Sequence, residues 1–375
     1  MANITTSFPF EKEYNRTCYD SNCTTKDTVA ISLDAALKVR YVYAAVGALG
    51  MIGNAIVAVV IMSSSRMRRA TTNVLITNQS AIDFLASFFI IMCTFIRDIS
   101  RIESFIGRET FCRLWADNLP MWSMFVSSTY NLVCITMERY SGIVYPMRHS
   151  RTCSRFRSRF AIAFAWFIGP TYNLSYMAVS SPYKNGECTA YSDWPSPEIQ
   201  RAVGLLTITL QFFLPILIIA FAYIRIVVIL RRGVTTKGSS KNSNPQDARR
   251  DKRMKRARTN VIKTLVMVAM SFVLCWSPNQ FFFLVYNIGV ELDFNGTFYH
   301  FTVIAVFLNS CINPFIYAFQ YDQFKNELLN RCHKPAEVTE FSVTSENSVR
   351  TSDVEVSRGS RKSVYTVEQD CETGQ

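Results

Sequence analysis

Charge is what this chain withholds from its long apolar stretches. Seven runs are each long enough for a bilayer core, which needs about 20 mostly apolar residues per helix: Tyr41–Met62, Val74–Ile96, Leu114–Met137, Phe160–Val179, Ala202–Ile224, Thr264–Ile288 and Phe301–Phe319. Five of them hold no Asp, Glu, Lys or Arg; the second holds only Asp83 and the third only Asp117. A soluble domain buries at most an occasional helix that is apolar all round, so seven exclude a soluble fold. Residues 1–40 lack the apolar core of a signal peptide, and the first run is expected to act as its own insertion signal. Acid is nearly missing from alternate loops. Ser63–Thr71 has three Arg and no acid, Ser141–Phe160 five Arg and no acid, and Arg231–Lys263 twelve Lys or Arg against Asp247 and Asp251. On the other side the signs balance: residues 1–40 carry five of each and Ile91–Phe111 three of each. Lys and Arg collect in cytoplasmic loops, so the N-terminus reads as extracellular and the C-terminus as cytoplasmic. The +12 net charge therefore faces anionic lipid and cytoplasmic partners, not nucleic acid. The internal repeat that marks many transporters is also missing.

What is present reads as an all-α membrane protein, a seven-transmembrane helix bundle with a short amphipathic surface helix after the seventh. The expected parts are an extracellular tail (1–40), the bundle (41–319), the surface helix (320–332) and a disordered cytoplasmic tail (333–375). Tyr321, Phe324 and Leu328 recur at spacings of three and four, which gives the surface helix its membrane-facing side. Cys332 at its end is either a palmitoylation site or an ordinary cytosolic cysteine. The Ser/Thr/Glu-rich tail has few large apolar groups. Glycosylation sequons begin at Asn3, Asn15, Asn22 and Asn295, all on the outer side; those at Asn78 and Asn173 fall inside helices and are chance matches. Of eleven cysteines, Cys112, Cys188, Cys18 and Cys23 lie on the oxidising side. Whether Cys18 and Cys23 pair with each other is open.

An ionisable residue inside a bilayer is costly and usually functional. Asp83 is the sharpest case. Asn54, Ser128, Asn309 and Asn313 stand at comparable depth. One carboxylate with several neutral oxygens suits either a sodium ion or a water-filled hydrogen-bond network without an ion. No cofactor is expected beyond that ion. Pro215, Pro278 and Pro314 interrupt the fifth, sixth and seventh helices, and neighbours must satisfy the carbonyls they free. A channel or transporter would carry more intramembrane charge or repeated broken helices.

The signatures fall one set per helix. They are Gly53-Asn54, Asp83, Glu138-Arg139-Tyr140, Trp166, Pro215 with Tyr223, Cys275-Trp276-Ser277-Pro278 and Asn309-Ser310-Cys311-Ile312-Asn313-Pro314-Phe315-Ile316-Tyr317. In this order, across residues 41–332, the chain resembles a rhodopsin-like (class A) G-protein-coupled receptor. The resemblance implies a signal-transducing receptor of the plasma membrane and no enzyme. It implies a disulfide from Cys112 to Cys188. Arg139 would be held by Glu138 at rest. Trp276 would lie under the ligand, with Phe272 beside it in the switch. Tyr223 and Tyr317 would swing toward Arg139, and Pro146-Met147 would pack into a heterotrimeric G protein. Ser342, Thr344, Ser345, Ser348, Thr351 and Ser352 would become an arrestin site once phosphorylated by a receptor kinase; the bland reading is a solvated linker.

Departures from the pattern narrow the reading. Cys112 stands 27 residues before Arg139, about two more than usual in the family; with Pro120 this implies a kink or bulge in the outer third helix. The first outer loop lacks its usual Trp. Arg256 and Arg258 replace an acid at the base of helix six, so no lock from Arg139 to that helix is expected. Lys is missing from Phe298 to Phe319, which excludes retinal, and Met121 stands where amine receptors carry Asp. Asp117, one turn further out, keeps an amine as an alternative, beside lipids and other small molecules. The favoured ligand is a neuropeptide, with the galanin- and somatostatin-like receptors the most similar group.

Overall fold

The computed structural model describes residues 25–96, 99–146, 154–188, 194–236, 245–290, 292–294 and 296–333. Asn3, Asn15, Cys18, Asn22, Cys23, Met147, Asn295 and the serine and threonine cluster of the tail lie outside them. The chain divides after Leu329 into two units.

Among the described residues, seven long helices form most of the first unit. They are α1 (Thr25–Ser63), α2 (Thr71–Phe95), α3 (Leu119–Val144), α4 (Ser154–Ser180), α5, α6 (Pro245–Asn287) and α7 (Thr297–Gln320). Helix α5 is composite: Pro197–Ile208, a π-helical turn Thr209–Phe213, and Leu214–Thr236. Helix α1 packs on α2 and α7, α3 on α2, α4 and α5, and α6 on α7. Five helices are long and apolar enough to cross a membrane by composition. Helices α3 and α4 are as long, at 26 and 27 residues. The former is diluted by Ser123, Ser127, Ser128, Thr129 and Asn131, all buried against neighbours; the latter by arginines in its first turns. Helix α8 (Asp322–His333) follows α7 directly, with Phe324 at 1% exposure. Cys332 sits in its last turn, its side chain outside the described residues.

Two boundaries differ from the sequence reading. The helix of the first run starts before Tyr41, since α1 already begins at Thr25; neither Gly nor Pro occurs from 25 to 46 to stop it. The third run, expected from Leu114, starts as α3 only at Leu119. Before it lie a helix Phe105–Phe111, a π-helical turn Cys112–Ala116 and Asn118 in the left-handed region, φ 58°. This is the bulge implied by the Cys112–Arg139 spacing, and Pro120, in the first turn of α3, needs no N–H partner there.

Proline and glycine set the close approaches. Pro215 has no N–H for the carbonyl of Gln211, and the π-helical turn Thr209–Phe213 absorbs that break just before it. Pro314 likewise frees the carbonyl of Ser310, which accepts from Asn54 Nδ2 of α1 at 2.8 Å. Gly53 makes this possible, since a Cβ there would stand 3.0 Å from the Pro314 ring. Gly169 is tighter still: a Cβ would fall 2.1 Å from the Ser123 carbonyl oxygen, a backbone atom that cannot yield. Gly169→Val should therefore push α4 off α3 and destabilise the bundle by roughly 1–3 kcal/mol. Thermal unfolding of purified protein in nanodiscs checks this, and an unchanged midpoint would contradict the packing.

Candidate functional site

The residues singled out from sequence fall into four levels down one bundle. At the outer mouth, Cys112 and Cys188 are joined, with Cα atoms 5.2 Å apart. The bridge fastens a two-stranded hairpin, β1 (Tyr183–Lys184) with β2 (Glu187–Cys188), to the π-helical turn before α3. Asn185 and Gly186 form its turn with φ 54° and 88°, the paired positive angles that Asn-Gly accepts most readily. That dipeptide is a hairpin signal in the sequence itself. Glu109 adds a second fastening: it accepts the backbone N–H of Tyr183 at 2.7 Å and pairs with Arg113 at 2.7 Å. The Arg108 guanidinium donates to the Tyr183 hydroxyl at 3.1 Å. Asp117, the alternative amine acceptor, is buried and accepts from the hydroxyl of Ser181.

Below the mouth lies an aromatic floor. Phe125, Phe272 and Trp276 are all at or below 1% exposure. Phe125 meets Trp276 edge-on at 6.0 Å, Trp276 meets Phe272 at 5.7 Å, and Phe125 stacks on Phe307 at 5.9 Å. Phe307 in turn contacts Tyr43, whose hydroxyl is 2.9 Å from His300 Nδ1. Pro278 stands half a turn beyond Trp276 in α6. Phe125 carries no polar signature, and a phenylalanine in an apolar run reads as ordinary packing.

The third level is polar and fully buried. Asp83 Oδ1 accepts from Ser128 Oγ at 2.7 Å and Asp83 Oδ2 from Asn313 Nδ2 at 2.9 Å. Three of the five residues expected around the ion are thus together. Asn54 is not among them; it bonds the Gly50 and Ser310 carbonyls. Asn309 is buried but joins none of these bonds. Gln79, not singled out from sequence, takes a place there. Its Nε2 lies 3.2 and 3.1 Å from the two carboxylate oxygens and also donates to Ser128 Oγ. Gln79 and Asp83 are four residues apart on one helix face, a spacing that signals contact.

The fourth level is the cytoplasmic end. Arg139 has Tyr321, Glu138 and Tyr223 as electrostatic neighbours. Tyr223 is within 3.4 Å of Thr136 Oγ1, and Tyr140 packs on Phe221 and Tyr145. Tyr317 is fully buried, its hydroxyl without a hydrogen-bond partner among the described residues. Glu138 also faces α4, where Arg157 stands 3.6 Å from its carboxylate. Pro146 is exposed. The foot of α6 has fastenings that charge patterns do not reveal: Asn260 Nδ2 donates to Asp322 of α8, and Thr264 Oγ1 to the Gln320 carbonyl at 3.2 Å.

Residues 53–317 match the family described as 7 transmembrane receptor (rhodopsin family). Among similar proteins, galanin receptor 2b of Danio rerio is 28% identical over 78% of this chain and 74% of its own length. Somatostatin receptor type 5 of Rattus norvegicus is 29% identical over 77% of this chain and 76% of its own. Somatostatin receptor type 4 of the same species is 27% identical over 76% and 70%.

The mouth supplies a test of its own. Cys112→Ser should cost roughly 2–5 kcal/mol, because the bridge closes a long loop. Peptide mapping without reductant should recover Cys112 and Cys188 linked, and either thiol found free would contradict the fastening.

Proposed function

The chain belongs to the rhodopsin family of seven-transmembrane receptors, and from that premise we propose that it binds an extracellular peptide and activates a heterotrimeric G protein from the plasma membrane. The similarity to receptors named for galanin and somatostatin favours a peptide. So does the mouth, where a short hairpin is held by a disulfide and by Glu109 to the turns that precede α3, above the aromatic floor. The engaged carboxylate of Asp117 disfavours the amine alternative. A lipid or another small molecule is the remaining alternative, and a peptide library screened by nucleotide exchange decides among them.

The observation that carries the mechanism is that α6 bears both ends of the switch. Trp276 lies in the floor and Asn260 and Thr264 lie at the foot, with Pro278 between floor and mouth. Ligand pressure on the Trp276 ring tilts α6 about the proline-weakened turn. The foot then leaves Asp322 and the Gln320 carbonyl, and a cleft opens beside Arg139. Arg139, with Tyr223 and Tyr317 closing behind it, and Pro146-Met147 form the surface offered to the G protein. Phosphorylation of the cytoplasmic tail by a receptor kinase would add about −1.5 to −2 charges per site and recruit arrestin. Arg- and Lys-rich inner loops and α8 rest on anionic lipid.

Such a switch needs two packings only a few kcal/mol apart. A lost contact of about 1 kcal/mol then shifts the active population roughly five-fold. Asp322→Ala and Glu138→Gln should each raise basal nucleotide exchange several-fold in nanodiscs. Arg139→Ala should abolish coupling while the receptor still reaches the surface. If Arg139→Ala activates every G protein tested as well as the unaltered chain does, the mechanism fails.

A further inference from the structure

A buried carboxylate among neutral oxygens invites a cation, and the residues around Asp83 were expected to hold sodium. The hydrogen-bond directions around it say otherwise. They are fixed from one end. The indole N–H of Trp166 can only donate, and it meets Asn78 Oδ1 at 2.9 Å. Asn78 must then turn its amide nitrogen to Asn131, and donates to Oδ1 there at 2.9 Å. Asn131 in turn donates to Gln79 Oε1 at 2.8 Å and to the Leu75 carbonyl at 3.1 Å. Gln79 is left with only its NH₂ for Asp83. That group reaches both carboxylate oxygens and Ser128, while Ser128 and Asn313 give their own hydrogens to the same carboxylate.

A hard cation needs oxygen lone pairs. Here hydrogens on three side chains already point at the carboxylate. Asn309 joins none of these bonds, and the amide oxygens of Asn54 and Asn313 have no partner among the described residues; none of them replaces the carboxylate, which the Gln79 NH₂ covers. Turning Gln79 over to offer its oxygen would set its NH₂ against the NH₂ of Asn131. Relieving that clash by turning Asn131 and then Asn78 moves it to Trp166, which cannot accept a hydrogen. The residues present therefore do not fit the ion.

We infer that Gln79 is a tethered donor standing in for sodium at Asp83, and that this carboxylate is closed to the ion while the amide is present. The receptor then lacks the sodium brake on its resting state, and α2 is coupled to α3 by an amide that solution composition cannot remove. This goes beyond the peptide reading, and its test measures ion binding, so it can fail while that reading stands.

The full chain in nanodiscs is heated in sodium chloride and in choline chloride at one ionic strength, about 0.15 M. The unaltered receptor should give the same unfolding midpoint in both salts. Gln79→Leu removes the donor and opens the space beside Asp83, and its midpoint should be higher in sodium by about 2–4 °C. Adding Asp83→Asn to Gln79→Leu should abolish that difference. Gln79→Met, nearly the shape of glutamine, serves if the leucine variant does not fold. A sodium-specific rise in the unaltered receptor that Asp83→Asn removes overturns the inference. So does a folded Gln79→Leu or Gln79→Met protein whose midpoint is the same in both salts.

Discussion

One buried carboxylate organises the middle of this bundle. Asp83 is at 0% exposure in a membrane-spanning helix. A charge taken out of water there costs several kcal/mol unless hydrogen bonds replace the solvent. The replacement comes from α2 itself, from α3 and from α7, so three helices can pack in only one register relative to each other. The α7 donor, Asn313, precedes Pro314. The carbonyl that this proline frees is the one Asn54 of α1 caps. A fourth helix is thereby tied to the same point, through Gly53 where no side chain fits.

The movable parts are those this network does not reach. Trp276, Tyr317 and Arg139 are among the residues, Asn54, Ser310 and Asn313 also included, that carry a buried polar atom without a hydrogen-bond partner among the described residues. Buried polar groups are normally satisfied, and exceptions concentrate at functional positions. Trp276, Tyr317 and Arg139 mark the line from the aromatic floor to the cytoplasmic end. Helix α6, which bears the first of them, is fastened below by Asn260 and Thr264 to the junction of α7 and α8. A single helix thus joins a rigid polar centre's periphery to a releasable foot, which is the arrangement a two-state receptor requires.

The outer end shows the same division between fixed and free. The disulfide, Glu109, Arg108 and Arg113 hold the hairpin from several directions. The floor beneath is built of rings packed on one another, and Phe125, Phe272 and Trp276 are all buried. A segment that must admit a large flexible ligand is better held at its base than covered.

The sequence alone determined the runs, the sidedness and the costly residues. Each follows from a property that residues carry with them: transfer into hydrocarbon adds up along a run, and Lys and Arg mark the cytoplasmic face wherever they stand. Asp83 was visible because its cost is intrinsic, and the bulge before α3 was visible as extra residues between Cys112 and Arg139. Tertiary structure alone decided what Gln79 does, that Arg157 shares Glu138, and that Asn260 meets Asp322. Glutamine and asparagine are ordinary polar residues in a sequence, able to give or take a hydrogen bond at either end. Which they do here depends on a chain of partners drawn from α2, α3 and α4 and ending at one indole N–H. That direction is set by contacts between helices, and no periodicity along a single helix encodes it.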